Sequence, residues 1–438
     1  MSGRSIPDMT QPASSSPAPR PDGLVLAPFR ALRYAPGTAL DTVLAPPYDV
    51  IDAAEQATLE GRSATNVVRL TLPRDDAGPD SKYAAAGRLL AEWRANGILQ
   101  ADDEPALYIY EQEAGGHVQR GLVGALGLTP AEDQIVLPHE NTMAGPVADR
   151  LALMAATEAD LEMIFLVYDG GGAASQAVAD AGSREPLVEA TTTDGTRHRV
   201  WAITDPVTLD AIAADLHPRR AVIADGHHRY ATFLRYQAER HAAGDGNGAW
   251  DLGLAFLVDG SAFGPEVHAI HRAVPGLTPA DAAAKAGAGF TVTQIEGGLQ
   301  AALDALERAG KAGTAFLVTD GDAAWLLSEA DADRLAASMP ADRSAAWRAL
   351  DVAVAHTFLI RDLWGLDDTE QAVEFHHDVP AAVAAAKAGG GTALLLNPTP
   401  VADVAAVAAA GDRMPRKSTL FVPKPATGLL IRAFADAE

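Results

Sequence analysis

Apolar residues recur along this chain with two different spacings, and the changes between them mark its elements. Residues 83–99, YAAAGRLLAEWRANGIL, carry apolar positions at helical spacing, with Asn96-Gly97 as the stop. PALYIYEQE (105–113) and RGLVGALGL (120–128) read instead as strands, joined into a hairpin by the Gly115-Gly116 turn. NVVRLTLP (66–73) alternates like a half-buried strand. A buried strand is expected to end near Tyr168, another to lie around RHRVWAIT (197–204), and a helix around TLDAIAADL (208–216).

The sharpest change of pattern is VIADGHHRYATFLRYQ (222–237), where a strand-type run meets Asp-Gly-His-His-Arg and helical spacing follows at once. That helix should end in the Gly-rich AAGDGNG (242–248). DLGLAFLVD (251–259) and FGPEVHAIHRAV (263–274) read as two further strands. From about residue 277, Ala-rich helices alternate with strands such as TAFLVTD, AAWLLSE and TALLLNP. The pattern predicts an α/β class with α+β mixed sheets. It divides into a disordered Ser/Pro-rich tail (1–22), an N-terminal α/β lobe (23–200), a core segment with the DGHHR turn (201–276) and a C-terminal α/β lobe (277–438).

Composition narrows the classes. With 48% hydrophobic and 21% charged residues the 438-residue chain reads as globular. Its net charge of −24 argues against nucleic-acid binding, which needs clustered Lys and Arg, and against anionic membrane surfaces. The absence of cysteine removes disulfides, thiolate zinc sites and cysteine nucleophiles. No run reaches the roughly 20 apolar residues of a membrane-spanning helix, and residues 1–22 lack an apolar signal region. A cytoplasmic protein is expected.

Three clusters carry candidate chemistry. Asp225-Gly226-His227-His228-Arg229 places directed donors on the first turn of a helix, whose unsatisfied N–H groups attract anions. Arg229 can grip phosphate oxygens, and Asp225 can orient a histidine, hold a cation, accept a proton or simply cap the helix. Adjacent histidines without a partner at i+4 make a zinc site the weaker reading. His139-Glu140, in LPHENT, suits general-base chemistry, and Asp149-Arg150 is read as opening the next helix. RMPRKSTLFVPKPATGLLIR (413–432) concentrates cations and hydroxyls in an acidic chain. His268, His271, His376 and His377 receive no role, and no P-loop or GxGxxG fingerprint is present.

Five motifs in this order, APPYDVI, NVVRL, LPHENT with DRL, ADGHHRYAT and RMPRKSTLFVPK followed by TGL, resemble the bacterial family catalogued as a domain of unknown function, DUF1015. The ADGHHR turn is also similar to that of free-serine kinases in the ParB/sulfiredoxin-like superfamily. The resemblance implies a ParB/sulfiredoxin-like catalytic core with additional N- and C-terminal lobes. It implies a kinase turning free L-serine into O-phospho-L-serine with Mg²⁺, in serine and cysteine metabolism. Pyrophosphate is the favoured donor, because several anion motifs but no adenine pocket can be read. Carried onto this chain, Glu140 is the base with His139 beside it, and Asp225 and His228 complete the catalytic set. Asp225 is also the metal ligand. Gly226, His227, Arg229, Asn66, Arg69, Arg150, Lys417, Ser418 and Lys424 contact the phosphates, and Asp49, Asp149 and Thr427 the substrate. The alternative is a ParB-like switch that binds or hydrolyses ATP, ADP or CTP. A DNA-associated role is disfavoured by the charge. Partners are small molecules, not nucleic acid or membrane, and the oligomeric state is not read.

Overall fold

Alternation along a strand sends successive side chains to opposite faces, and in this chain both faces find a core. The computed structural model describes residues 20–75, 81–367, 369 and 371–436. Its central sheet has nine strands: β1 (Leu26–Ala27), β2 (Leu107–Ala114), β3 (His117–Gly127), β4 (Val136–Leu137), β5 (Ile164–Tyr168), β6 (Val188–Thr191), β7 (Arg197–Ile203), β8 (Ala221–Asp225) and β9 (Leu252–Asp259). The order is β4-β8-β5-β9-β3-β2-β7-β6, with β1 beside β3. The β8–β4 and β5–β9 pairs are parallel and the rest antiparallel. Along β9, Leu254, Phe256 and Val258 enter one core while Ala255 and Leu257 enter the other. A sheet buried on both sides reads as continuous apolar runs, as 164–168 and 221–224 do.

Three helices bear on the site: α1 (Lys82–Ala95), α2 (Ala144–Thr157) and α3 (His227–Ala243). Helix α1 stops at Asn96, where the sequence placed its end. Helix α2 packs between α1 and α3. A second sheet of six antiparallel strands holds β10 (His271–Val274), β11 (Thr291–Gln294), β12 (Phe316–Thr319), β13 (Ala324–Ser328), β14 (Glu374–His376) and β15 (Thr392–Leu396) in the order β11-β13-β12-β15-β10-β14. The chain then returns. Leu420–Val422 pairs with Glu266–His268, and Arg432–Ala433 with Ala159–Asp160.

The mixed α/β class and the 107–127 hairpin match the sequence reading. Other expectations change. NVVRLTLP is not a strand, because Val68–Thr71 forms a helical turn. Asn66 Oδ1 accepts the Val68 N–H at 3.0 Å, and Val67, Val68, Leu70 and Thr71 are all buried, so no single face is exposed. FGPEVHAIHRAV splits between a short ribbon and β10 of the second sheet. Residue 200 lies within β7, and β10 joins the second sheet before residue 277, so these boundaries do not separate sheets. The tail expected at 1–22 lies outside the described residues except for 20–22, where Asp22 meets His217 at 3.0 Å. Among the described residues no helix is long and apolar enough to cross a membrane.

Candidate functional site

Strand β8 delivers the first groups. Its residues Ala221–Ala224 are buried, and its register against β5 shifts between Ile223 and Asp225, a device that re-aims a strand end. Asp225 thereby lines a cleft of about 1200 Å³. Gly226 follows at φ +94°, and α3 begins at the next residue. A Cβ here would stand 3.1 Å from Arg229 Nε and from Ile164 Cγ2, so only glycine meets both the backbone and the space. Asp225 is therefore not the helix cap. Gly226 holds that position, and no side chain caps the helix. The Asp225 carboxylate takes two cations instead, the Arg229 guanidinium on Oδ2 and Lys424 Nζ at 2.6 Å from Oδ1. Arg229 is buried and also donates to the Met163 carbonyl.

The two histidines face the LPHENT loop. His227 Nε2 accepts the His139 backbone N–H at 3.2 Å, and His228 Nε2 accepts that of Met143 at 3.0 Å. Both are therefore anchors for the loop between them. With Nε2 accepting, the His227 proton sits on Nδ1, 3.7 Å from Glu140 Oε2. His139 is fully buried and edge-on to His227 at 4.5 Å between centroids, with its Nε2 3.3 Å from Thr419 Oγ1. Burial pushes His139 down to about 4 and His227 well below the usual histidine value, so both rings are neutral. His139 supports the loop from behind, and Glu140 lines the cleft. Its carboxyl is raised by burial and by Asp225 and Asp49, against the pull of Lys417 and Lys424.

The opposite wall comes from the first and last parts of the chain. Asp49, on the turn Tyr48–Val50, lies 3.3 Å from Lys424 Nζ. Burial would raise its pKa, but Arg229 and Lys424 together bring it below the ordinary range. Lys424 is held through its backbone. Gln112 Nε2 donates to its carbonyl at 2.8 Å and Gln119 Nε2 to that of Pro423 at 3.0 Å. The Ala426 N–H donates to Tyr110 Oη at 3.1 Å, and Tyr110 meets His198 Nδ1 at 2.9 Å. His198 Nε2 continues to Thr192 Oγ1 at 3.1 Å, and Thr192 to Asp194 at 2.6 Å. The Met414 N–H donates to the His139 carbonyl at 2.7 Å. Residues 414–426 thus form a strap across the cleft, with Lys417 exposed within its lining.

Of the residues expected from sequence, the cleft gathers Asp49, Glu140, Asp225, Gly226, His227, His228, Arg229, Lys417 and Lys424. It leaves out Asn66, Arg69, Asp149, Arg150, Ser418 and Thr427, each committed elsewhere. Asn66 spans the Thr42 and Leu44 carbonyls at 2.8 and 3.2 Å. Arg69 donates to the Glu60 carbonyl at 2.7 Å. Asp149 sits in mid-helix, since α2 starts at Ala144, and there binds Arg150, Tyr83 and Lys82. Arg150 lies beneath the Tyr48 ring at 4.1 Å, Ser418 Oγ closes a turn onto the Pro415 carbonyl, and Thr427 donates to Glu162 at 3.3 Å. Glu162, which the sequence did not single out, also takes the Tyr48 N–H at 2.9 Å and so ties the PPYD turn to Thr427, the residue that follows the strap. Gln112, Gln119, Tyr110 and His198 were likewise missed. For Gln112, Gln119 and Tyr110, nothing local to the strand marks a partner that lies 304 to 316 positions away.

A divalent cation at Asp225 does not fit this arrangement. Both carboxylate oxygens are engaged by cations of the chain. Among the described residues no group of three or more His, Asp or Glu is arranged to hold a metal.

Comparison with known proteins places these observations. The family model described as "Protein of unknown function (DUF1015)" matches residues 26–353. No curated protein matches the sequence. Among solved structures, a free serine kinase in complex with AMP aligns at 12% identity and TM-score 0.31, covering 67% of this chain and 88% of that one. A conserved hypothetical protein from Pyrococcus furiosus aligns at 14% and 0.31, covering 73% and 98%. C-terminally truncated SbnI from Staphylococcus aureus aligns at 9% and 0.32, covering 71% and 87%.

Proposed function

The chain belongs to the DUF1015 family, and from that premise and the chemistry of its cleft we propose that it is a phosphotransferase that phosphorylates free L-serine. One observation carries the reading: a carboxyl with a raised pKa, Glu140, faces the same cleft as an uncapped helix N-terminus and the cations Lys417 and Lys424. An upward shift is the direction that suits a carboxylate general base. Phosphoryl transfer needs little more than positioning and positive charge around the moving group.

In this reading the phosphates of the donor lie against the N-terminus of α3 and the two lysines. Glu140 takes the proton of the serine hydroxyl as its oxygen attacks phosphorus, and the bond to the leaving phosphate breaks. The products are O-phospho-L-serine and, from pyrophosphate, inorganic phosphate. Of the two acids expected to meet the serine ammonium, Asp49 lines the cleft and Asp149 does not. His227 and His228 act by fixing the loop that carries Glu140. The identity of the acceptor, and the Mg²⁺ supplied with the donor, follow from the likeness of the ADGHHR turn to that of free-serine kinases, whereas pyrophosphate is favoured as donor because the sequence offers several anion motifs and no adenine pocket.

A second reading, nucleotide binding or hydrolysis, is favoured by the size of the cleft. About 1200 Å³ exceeds the usual range of small-ligand pockets and leaves room for a nucleoside. The two are separated by incubating the protein with L-serine, MgCl₂ and either pyrophosphate, ATP or ADP, and following ³¹P resonances. O-phosphoserine is expected, with Glu140→Gln inactive. Absence of product with every donor overturns the kinase reading, and serine-independent release of phosphate supports the second.

A further inference from the structure

The family resemblance assigns Asp225 to a divalent cation, yet a lysine ammonium already occupies its place. Lys424 Nζ lies 2.6 Å from Asp225 Oδ1 and 3.3 Å from Asp49 Oδ2, bridging two carboxylates from different ends of the fold. The other Asp225 oxygen is taken by Arg229, itself buried. Lys424 is no wandering surface lysine. Its side chain is 18% exposed, and its own carbonyl and that of Pro423 are clamped by Gln112 and Gln119. The four-carbon stem therefore starts from a fixed point, and its compact ammonium is delivered to one position.

We infer that Lys424 is a tethered cation filling the Asp49–Asp225 pair, so that a divalent metal binds these carboxylates only when the ammonium is absent. The two acids then serve to hold a positive charge toward an incoming anion. A bound metal would add two positive charges where Lys424 and Arg229 already balance the pair, with no free carboxylate oxygen to offer on Asp225. The inference concerns cation binding alone and is independent of which compound is phosphorylated.

Titration of the full-length protein with Mn²⁺ alone, followed by the electron paramagnetic resonance of free Mn²⁺, tests it. Wild type and Asp49→Asn are expected to bind the same number of equivalents. Lys424→Met is expected to bind one more, and Lys424→Met with Asp225→Asn to lose it again, each variant being checked for fold by circular dichroism. Lys424→Gln serves where Lys424→Met fails to fold. One equivalent bound by wild type but missing from Asp49→Asn overturns the inference, with or without the lysine variants. So does a folded Lys424→Met protein that gains none.

Discussion

Replacing Asp225 by Asn keeps the shape of the side chain and removes one charge between two cations. Arg229, 5% exposed, loses its carboxylate, and Lys424 loses the nearer of its two. Breaking a buried ion pair from one side costs about 3–5 kcal/mol, mostly because a desolvated charge is stranded. Here each cation keeps something: Arg229 the Met163 carbonyl and the charge of Glu162, Lys424 the Asp49 carboxylate at 3.3 Å. The lower end, about 3 kcal/mol, is therefore expected. Urea unfolding followed by tryptophan fluorescence measures it. With a slope of about 3 kcal/mol per molar or more for a chain this long, the midpoint falls by about 1 M or less. Removing the stranded guanidinium as well, in Asp225→Asn with Arg229→Met, should return much of the loss, since an apolar replacement for a buried pair is nearly neutral. A midpoint for Asp225→Asn within about 0.2 M of wild type, or a double variant no better than the sum of the singles, refutes the picture of a buried charge balance at this turn.

Because the Glu140 carboxyl is raised, its ionised fraction grows with pH above the ordinary carboxylate value. Serine phosphorylation should rise with it and level off, and a rate flat from about pH 5 to about 8 would count against Glu140 as the base. His139, His198 and His271 are each lowered by burial from 6.5 to about 4. As pH falls below 6.5 the unfolded chain takes up these protons before the native one does, so stability drops between 6.5 and about 4, by up to on the order of 3 kcal/mol per ring. A urea midpoint that stays put from pH 7 to about 4.5 refutes this.

Local features were legible in the sequence and long-range ones were not. The turn at 225–229 declared itself because a strand period, a glycine and a helix period adjoin, and the 107–127 hairpin because two apolar runs flank Gly115-Gly116. Asn66 and Arg69 show the limit. Their residue types suit a phosphate site, yet Asn66 commits both its amide hydrogens and its oxygen to the backbone of 42–44 and 68. Whether a polar side chain faces a ligand or its own chain depends on which backbone groups other segments leave unpaired, and no periodicity reports that. NVVRL misled for a related reason: alternation predicts a strand only where one face meets water. Lys417 and Lys424, singled out by composition, both line the cleft, while the glutamines and Tyr110 that hold the strap looked like ordinary strand residues.

The strap also sets the time at which the site comes into being. Every strand of the central sheet has been synthesised once residue 259 is made, and with it Asp49, Glu140, Asp225 and Arg229. Lys424 follows only after the second sheet has been synthesised. Until then the acids face one another with Arg229 alone to balance them. A growing chain can therefore complete the strands of its framework early and still hold no completed cleft, and under the proposed function fragments ending before the strap are expected to be inactive.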